Sequence, residues 1–463
     1  MANSNVRERS TEVTVAPVER YRERTPTSAD RFANATNVMP GGNTRIAVYH
    51  EPYPTYLTTG HECYVRDIDD NEYLDFVNNM TSLIHGHAHD AVVQAATDSV
   101  ARGSAPGGPT EAEINWATHL CDRIPGLDLI RFTNSGTEAT ANAIRAARAF
   151  TGKDVIAKFE GVYHGTHDDS QISVAPPLHL AGPASKPRSV PDTAGIPASK
   201  LTDVLVMPFN DVENSLAELT RRQDDLAGIL LAPVFGSSII PAEQEFVSAL
   251  DEFSTETGIP IIFDEIISFR LNYGGAHECF DITPDLMAFG KVIGGGFPVG
   301  AFGGRAEIMS AFDPQHEAQI VHSGTFNANP VTATAGLTAL EGFDPSAVNR
   351  LNSLCDELVP NIRAIFDDHG ITCVVNRAGS LFNIYLTPKS VQNYRDKRQS
   401  ATGLEHELFI RLANEGIRLA PNLMGSLSTP MDREELDVFI SSLNVAVEGL
   451  KKSVEREAPD LIQ

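Results

Sequence analysis

Apolar positions along the chain fall into two rhythms. Between about Ala91 and Leu340, short unbroken apolar runs such as Ile261-Ile262-Phe263 and Leu286-Met287-Ala288-Phe289 alternate with stretches of helical period. Runs of that kind predict strands buried on both faces, and their alternation with helices predicts a mainly parallel sheet with crossover helices. Before this region, Tyr56, Tyr64-Val65-Arg66 and Tyr73-Leu74-Asp75-Phe76 carry short strand signals. Beyond Gly342 come helices, a strand at Leu381–Tyr385 and a last amphipathic helix over 433–450. The pattern divides the chain into an extension (1–37), an N-terminal segment of a smaller domain (38–90), a large domain (91–340) and the remainder of the smaller α+β domain (341–463). The extension is polar and charged without apolar period, which predicts a mobile or partner-draping stretch. Residues 175–199, rich in proline, alanine and serine, read as a long surface loop.

Composition narrows the class of protein. The chain has 463 residues with 42% hydrophobic content, enough to fill two cores. Its formal charge of −25 disfavours nucleic acid and anionic membranes as partners. No apolar stretch approaches the roughly 20 residues that cross a bilayer, and no leader pattern opens the chain, so a cytoplasmic protein is expected. Five scattered cysteines without paired spacing read as free thiols.

Lys291 is the only lysine between Leu201 and Pro388, at the end of an apolar run and directly before Val292-Ile293-Gly294-Gly295-Gly296. A desolvated amine has a lowered pKa and bonds readily to a carbonyl carbon, whereas a lysine at a strand terminus can also simply snorkel to water. Asp264 interrupts the buried run that begins at Pro260. A carboxylate there needs a cationic or hydrogen-bonded partner. A protonated pyridine nitrogen would serve, as would Arg270 or the start of a following helix. Ser135 with Glu138 three residues on has the form of a helix-capping box, whose free N–H groups suit a phosphate dianion, with Gly136 allowing close approach. Many ordinary helices begin the same way. Tyr163, after the short strand 154–158, is placed to stack on a planar ring or to fill a core.

Two rival chemistries are weaker. Gly290-Lys291 is followed by Val292 and lacks the glycine spacing of a P-loop. His85, His87 and His89 alternate and would share one face of a strand, but no spaced acidic or cysteine partner completes a zinc site.

The segments Asn134-Ser135-Gly136-Thr137-Glu138-Ala139, Tyr163-His164-Gly165, Phe263-Asp264-Glu265, Gly290-Lys291-Val292-Ile293-Gly294-Gly295-Gly296 and Ser323-Gly324-Thr325-Phe326-Asn327-Ala328-Asn329-Pro330 resemble class III pyridoxal-phosphate aminotransferases. The resemblance is strongest to the glutamate-1-semialdehyde aminomutase-like branch, which includes aminotransferases of β-amino acids. It implies the type I aminotransferase α/β fold, pyridoxal 5'-phosphate as cofactor, and a homodimer with sites at the subunit interface. It makes Lys291 the Schiff-base lysine, Asp264 the partner of the pyridine nitrogen, and Tyr163 the stacking ring with Ile266 on the opposite face. Ser135, Gly136 and Thr137 would hold the phosphate, with Thr325 reaching it from the neighbouring subunit, and His164 would belong to the same cofactor site.

The chain also departs from the pattern. Asn79-Met80-Thr81-Ser82 stands where semialdehyde aminomutases have Ser-Trp-Gly-Pro, and Ala232 precedes Pro233 where many class III enzymes have a glutamate. The segment Met39-Pro40-Gly41-Gly42-Asn43-Thr44-Arg45 resembles one that offers an arginine to a substrate carboxylate in β-amino-acid aminotransferases. A second arginine of those enzymes is replaced by Asn422, with Arg418 as the nearest alternative. The expected activity is transfer of an amino group from a carboxylated donor, such as a β-amino acid, to a keto acid. An intramolecular aminomutase is the alternative, and a non-catalytic cofactor-binding protein a distant one.

Overall fold

The computed structural model describes residues 16–317 and 319–463. Two helices open it, α1 (Pro17–Arg24) and α2 (Pro26–Ala35), each with proline in its first turn, where the missing N–H is not needed. Of the expected mobile or partner-draping extension, residues 1–15 lie outside the described residues, and 17–24 and 26–35 form helices. The cause is docking rather than helical period. Tyr21 is buried and donates to Tyr53 O at 3.1 Å, while Arg20 pairs with Glu415 at 2.6 Å and Arg24 bonds the carbonyls of Ala413 and Asn414.

Seven strands form the central sheet: β1 (Leu129–Thr133), β2 (Val155–Phe159), β3 (Val204–Met207), β4 (Leu226–Leu231), β5 (Ile261–Asp264), β6 (Leu286–Gly290) and β7 (Gly300–Gly304). Their spatial order is β1-β7-β6-β5-β4-β2-β3. All neighbouring pairs are parallel except those made by β7, which runs antiparallel to both β1 and β6. Every residue of β2, β4, β5 and β6 is buried, as expected for strands covered on both faces. Helix α3 (Gly136–Thr151) lies across β4, β6 and β7 and buries Ala139, Ala143, Ile144 and Ala147. The observed fold is the type I α/β class read from the sequence. It places the ends of β1, β2, β5 and β6 on one side of the sheet, where parallel sheets bind ligands.

Strands Leu57–His61, Tyr64–Asp67 and Glu72–Asp75 form a separate sheet, completed by Ile417–Arg418 in parallel register with Leu74 and Asp75. Residues from both ends of the chain therefore share one layer. Among the described residues no helix is long and apolar enough to cross a membrane.

Candidate active site

Lys291 follows β6 directly and opens a short 3-10 turn with φ of 49°, a left-handed conformation that turns its side chain out of the strand's line. Burial, opposed by Asp264 and aided by Arg45, lowers its pKa to about 8. Asp264 ends β5, beside Ala288 of β6. Its Oδ2 accepts from His164 Nδ1 at 2.8 Å and its Oδ1 from the backbone N–H of Ile266 at 3.1 Å. Burial holds the His164 pKa below its ordinary value against the raising effect of Asp264. The imidazole in that state is neutral, donates a hydrogen bond from Nδ1–H to the carboxylate, and leaves Nε2 buried without a partner.

These groups line one cavity of about 200 Å³ together with Gly136, Thr137, Tyr163, Ile266 and Val299. Ser135 caps α3, accepting from Glu138 N at 3.2 Å. The return bond of Glu138 goes to Asn134 N, at 2.6 Å, instead of to the cap residue itself. The N–H groups of the first turn, Gly136 and Thr137 among them, have no intrahelical acceptor and present a partial positive charge. A Cβ on Gly136 would stand 2.6 Å from Ile266 Cδ1, so this position is small because Ile266 occupies the space. Gly165, with φ of 112°, closes against Thr137 in the same way.

Three expected residues do not line this cavity: Ser135, the cap of α3, and Thr325 and Arg45. Thr325 is exposed on the segment before Pro330 and does not line the cavity of its own chain. Arg45 is exposed and donates to Asn79 Oδ1 at 2.8 Å. It lines a neighbouring chamber of about 220 Å³ with His50, Met80, Phe409 and Arg418. Arg418 is engaged by Asp75 at 3.0 Å, which His87 Nε2 also meets at 2.8 Å. Asn422 donates to Ser237 O. His85 bonds Thr429 and the Ala339 carbonyl, and no group of metal-ligating side chains forms among the described residues.

Sequence reasoning missed Asn79. Residues Asn78, Asn79, Met80 and Thr81 all have positive φ and make a left-handed turn without glycine, at roughly 1–2 kcal/mol for each of Met80 and Thr81. It also passed over Lys158, a lysine in the buried strand β2 that the criterion applied to Lys291 would have found. Lys158 donates to the carbonyls of Ser170 and Ile172 at 2.9 and 2.7 Å and does not line the cavity.

The family model described as aminotransferase class-III matches residues 46–441. The chain is a class III aminotransferase. This aminotransferase is 43% identical to an omega-transaminase from Sphaerobacter thermophilus, with a TM-score of 0.90 over 93% of this chain and 99% of that one. A β-phenylalanine aminotransferase from Variovorax paradoxus is 30% identical, with a TM-score of 0.85 over 98% and 100% of the two chains. The glutamate-1-semialdehyde 2,1-aminomutase of Methanothermobacter thermautotrophicus is 37% identical over 92% of this chain and 99% of its own. Class III aminotransferases depend on pyridoxal 5'-phosphate, and this aminotransferase has a donor set that fits it: an amine of lowered pKa, a buried carboxylate and a glycine-opened helix N-terminus around one cavity.

Proposed function

We propose that the protein moves an amino group from a carboxylated donor, with β-amino acids within its range, to a keto acid. Bound pyridoxal 5'-phosphate supplies the carbonyl that takes up the amino group and a ring that accepts the electron pair left when a substrate C–H bond breaks. Lys291 is the residue that holds it covalently. The Lys291 amine, when free and neutral above about pH 8, would take the proton from the substrate carbon and deliver it to the carbon that receives the amino group. Asp264 holds a proton on the pyridine nitrogen, and His164 keeps that carboxylate oriented. Ser135, Gly136 and Thr137 would bind the phosphate at the start of α3, Tyr163 and Ile266 would hold the ring, and Thr325 would reach the same phosphate from a second copy of the chain. Arg45 receives the donor's carboxylate.

The observation that carries this reading is the meeting of Lys291, Asp264 and His164 in one cavity, with the Arg45 guanidinium close enough to lower the lysine pKa. The likeness to named transaminases supports transfer between two molecules. The 37% identity to a semialdehyde aminomutase keeps internal transfer as the second reading. Adding α-amino acids, β-amino acids and simple amines in turn to the loaded enzyme, while following cofactor absorbance and oxo product, separates them. Stoichiometric oxo product from a carboxylated donor supports the transaminase. Isomerisation of an amino-oxo compound with no free oxo product supports the mutase.

A further inference from the structure

The left-handed turn at 78–81 has φ values of 46°, 50°, 56° and 74°. Asparagine tolerates this region, but methionine does not favour it and β-branched threonine is an outlier there. Strain of this kind persists only where the surroundings over-determine it. Both ends are indeed fixed. Asn78 is fully buried and donates to Ser426 O at 2.8 Å and Ser426 Oγ at 3.3 Å. Arg270 is also fully buried and donates to Thr81 O at 3.3 Å, to Ser380 Oγ at 3.0 Å and to the Leu427 carbonyl. No carboxylate pairs with Arg270 among the described residues, so a buried cation is committed to holding neutral groups, the end of this turn among them.

The turn presents the Asn79 side chain. Its Nδ2 donates to Ser82 Oγ at 3.0 Å, and that hydroxyl donates back to Asn79 O at 3.0 Å. With the amide nitrogen so engaged, Oδ1 faces Arg45 Nη1 at 2.8 Å. A neutral acceptor orients the guanidinium without cancelling its charge, which a carboxylate in the same place would do. Met80, the next residue, packs against the buried cluster that includes Val234, a residue of the Lys291 cavity's lining, and also lines the chamber that Arg45 borders. The turn therefore borders the Arg45 chamber and packs against a cluster that reaches the Lys291 cavity.

We propose that Asn79 is a positioning residue for carboxylated substrates, orienting the Arg45 guanidinium through a neutral acceptor, and that the left-handed turn is maintained to present it. The inference rests on the reading of Arg45 as the carboxylate site. The test compares Asn79→Ala, Asn79→Gly, Asn79→Asp and Arg45→Ala holoenzymes with a carboxylated donor and with a primary amine that lacks a carboxylate. Glycine adopts a positive φ freely, so Asn79→Gly removes the side chain without straining the turn.

Loss of one hydrogen bond should raise KM for the carboxylated donor about five- to tenfold in Asn79→Ala and Asn79→Gly, with kcat and the amine reaction unchanged. Asn79→Asp should raise it further. The inhibition constant of butanoate, a carboxylate with no amine, should rise in parallel with KM. If Arg45→Ala raises that KM while the Asn79 variants leave it unchanged, the role of Asn79 is overturned and the Arg45 reading stands. Equal losses with both donors also overturn it, because they mark a general structural role. An unchanged KM in Arg45→Ala overturns the Arg45 reading and this inference with it.

Discussion

The His164 imidazole and the Asp264 carboxylate, 100 positions apart in sequence, meet at 2.8 Å with both groups shut away from water. The pair joins the loop after β2 to the end of β5, and its hydrogen bond fixes the orientation of the carboxylate. Asp264→Asn removes the negative charge while keeping the shape. Turnover of the loaded enzyme should fall by on the order of 10²–10³, measured as kcat, with exchange of the substrate Cα proton slowed in step. Proton exchange at the wild-type rate would remove Asp264 from the reaction.

Lys291→Ala should abolish covalent attachment of the cofactor, read as loss of the cofactor mass adduct after borohydride reduction. The pH dependence carries a separate signature. A pKa lowered to about 8 means that the amine sheds its proton as pH rises through 8. The rate at which apoprotein takes up pyridoxal 5'-phosphate should therefore climb to a plateau just above that pH, rather than keep rising toward the ordinary lysine value of 10.5.

Gly136→Ala places a methyl group 2.6 Å from Ile266 Cδ1. Overpacking of this kind costs about 1–3 kcal/mol, and it should appear as a higher cofactor dissociation constant in equilibrium dialysis. Ile266→Val removes the offending Cδ1. The double variant should recover most of the affinity, whereas no recovery would mean that the glycine serves the backbone and not Ile266.

Thr325 lies away from the cavity of its own chain, so its assignment depends on a second subunit. Lys291→Ala and Thr325→Ala proteins, unfolded together and reassembled, should form mixed dimers with one intact site and regain activity that neither parent has. Failure to regain it, with mixed dimers demonstrated by mass spectrometry, would put Thr325 outside a shared site.

His50 packs edge-on against Phe409 at 4.7 Å, and burial lowers its pKa to about 4. The unfolded chain then binds a proton that the folded one refuses, so this stability is present above about pH 6.5 and is lost as pH falls toward 4. The shift corresponds to about 3 kcal/mol. His50→Phe should flatten the fall in Tm between pH 7 and 4 relative to the parent.

What the sequence revealed, and what it hid, follows from locality. Leu226–Leu231 and Leu286–Gly290 are continuous apolar runs because both faces of each strand are covered, and that signal lies within one segment. Ser135 with Glu138 is equally local, although the glutamate turned to Asn134 instead of the cap residue. The helices at 17–35 were hidden because their stability comes from Glu415, Ala413 and Asn414 at the other end of the chain. The turn at 78–81 was hidden for a stronger reason. Met80 and Thr81 disfavour its geometry, and the forces that impose it come from Arg270 and Ser426, which no window around Asn79 contains.

Arg45 belongs to a strap. Helices α1 and α2 run into the segment that carries it, and Gly42 is seated against Phe32 while Tyr56 bonds the Gly42 carbonyl. The cofactor-side groups, by contrast, hang from the sheet. With Arg45 in its proposed role, selection could rewrite which molecules enter by altering a peripheral ribbon and leave the proposed cofactor residues untouched. For a designer the same separation is a handle: exchanging residues 36–48 between relatives should transplant substrate preference without rebuilding the catalyst.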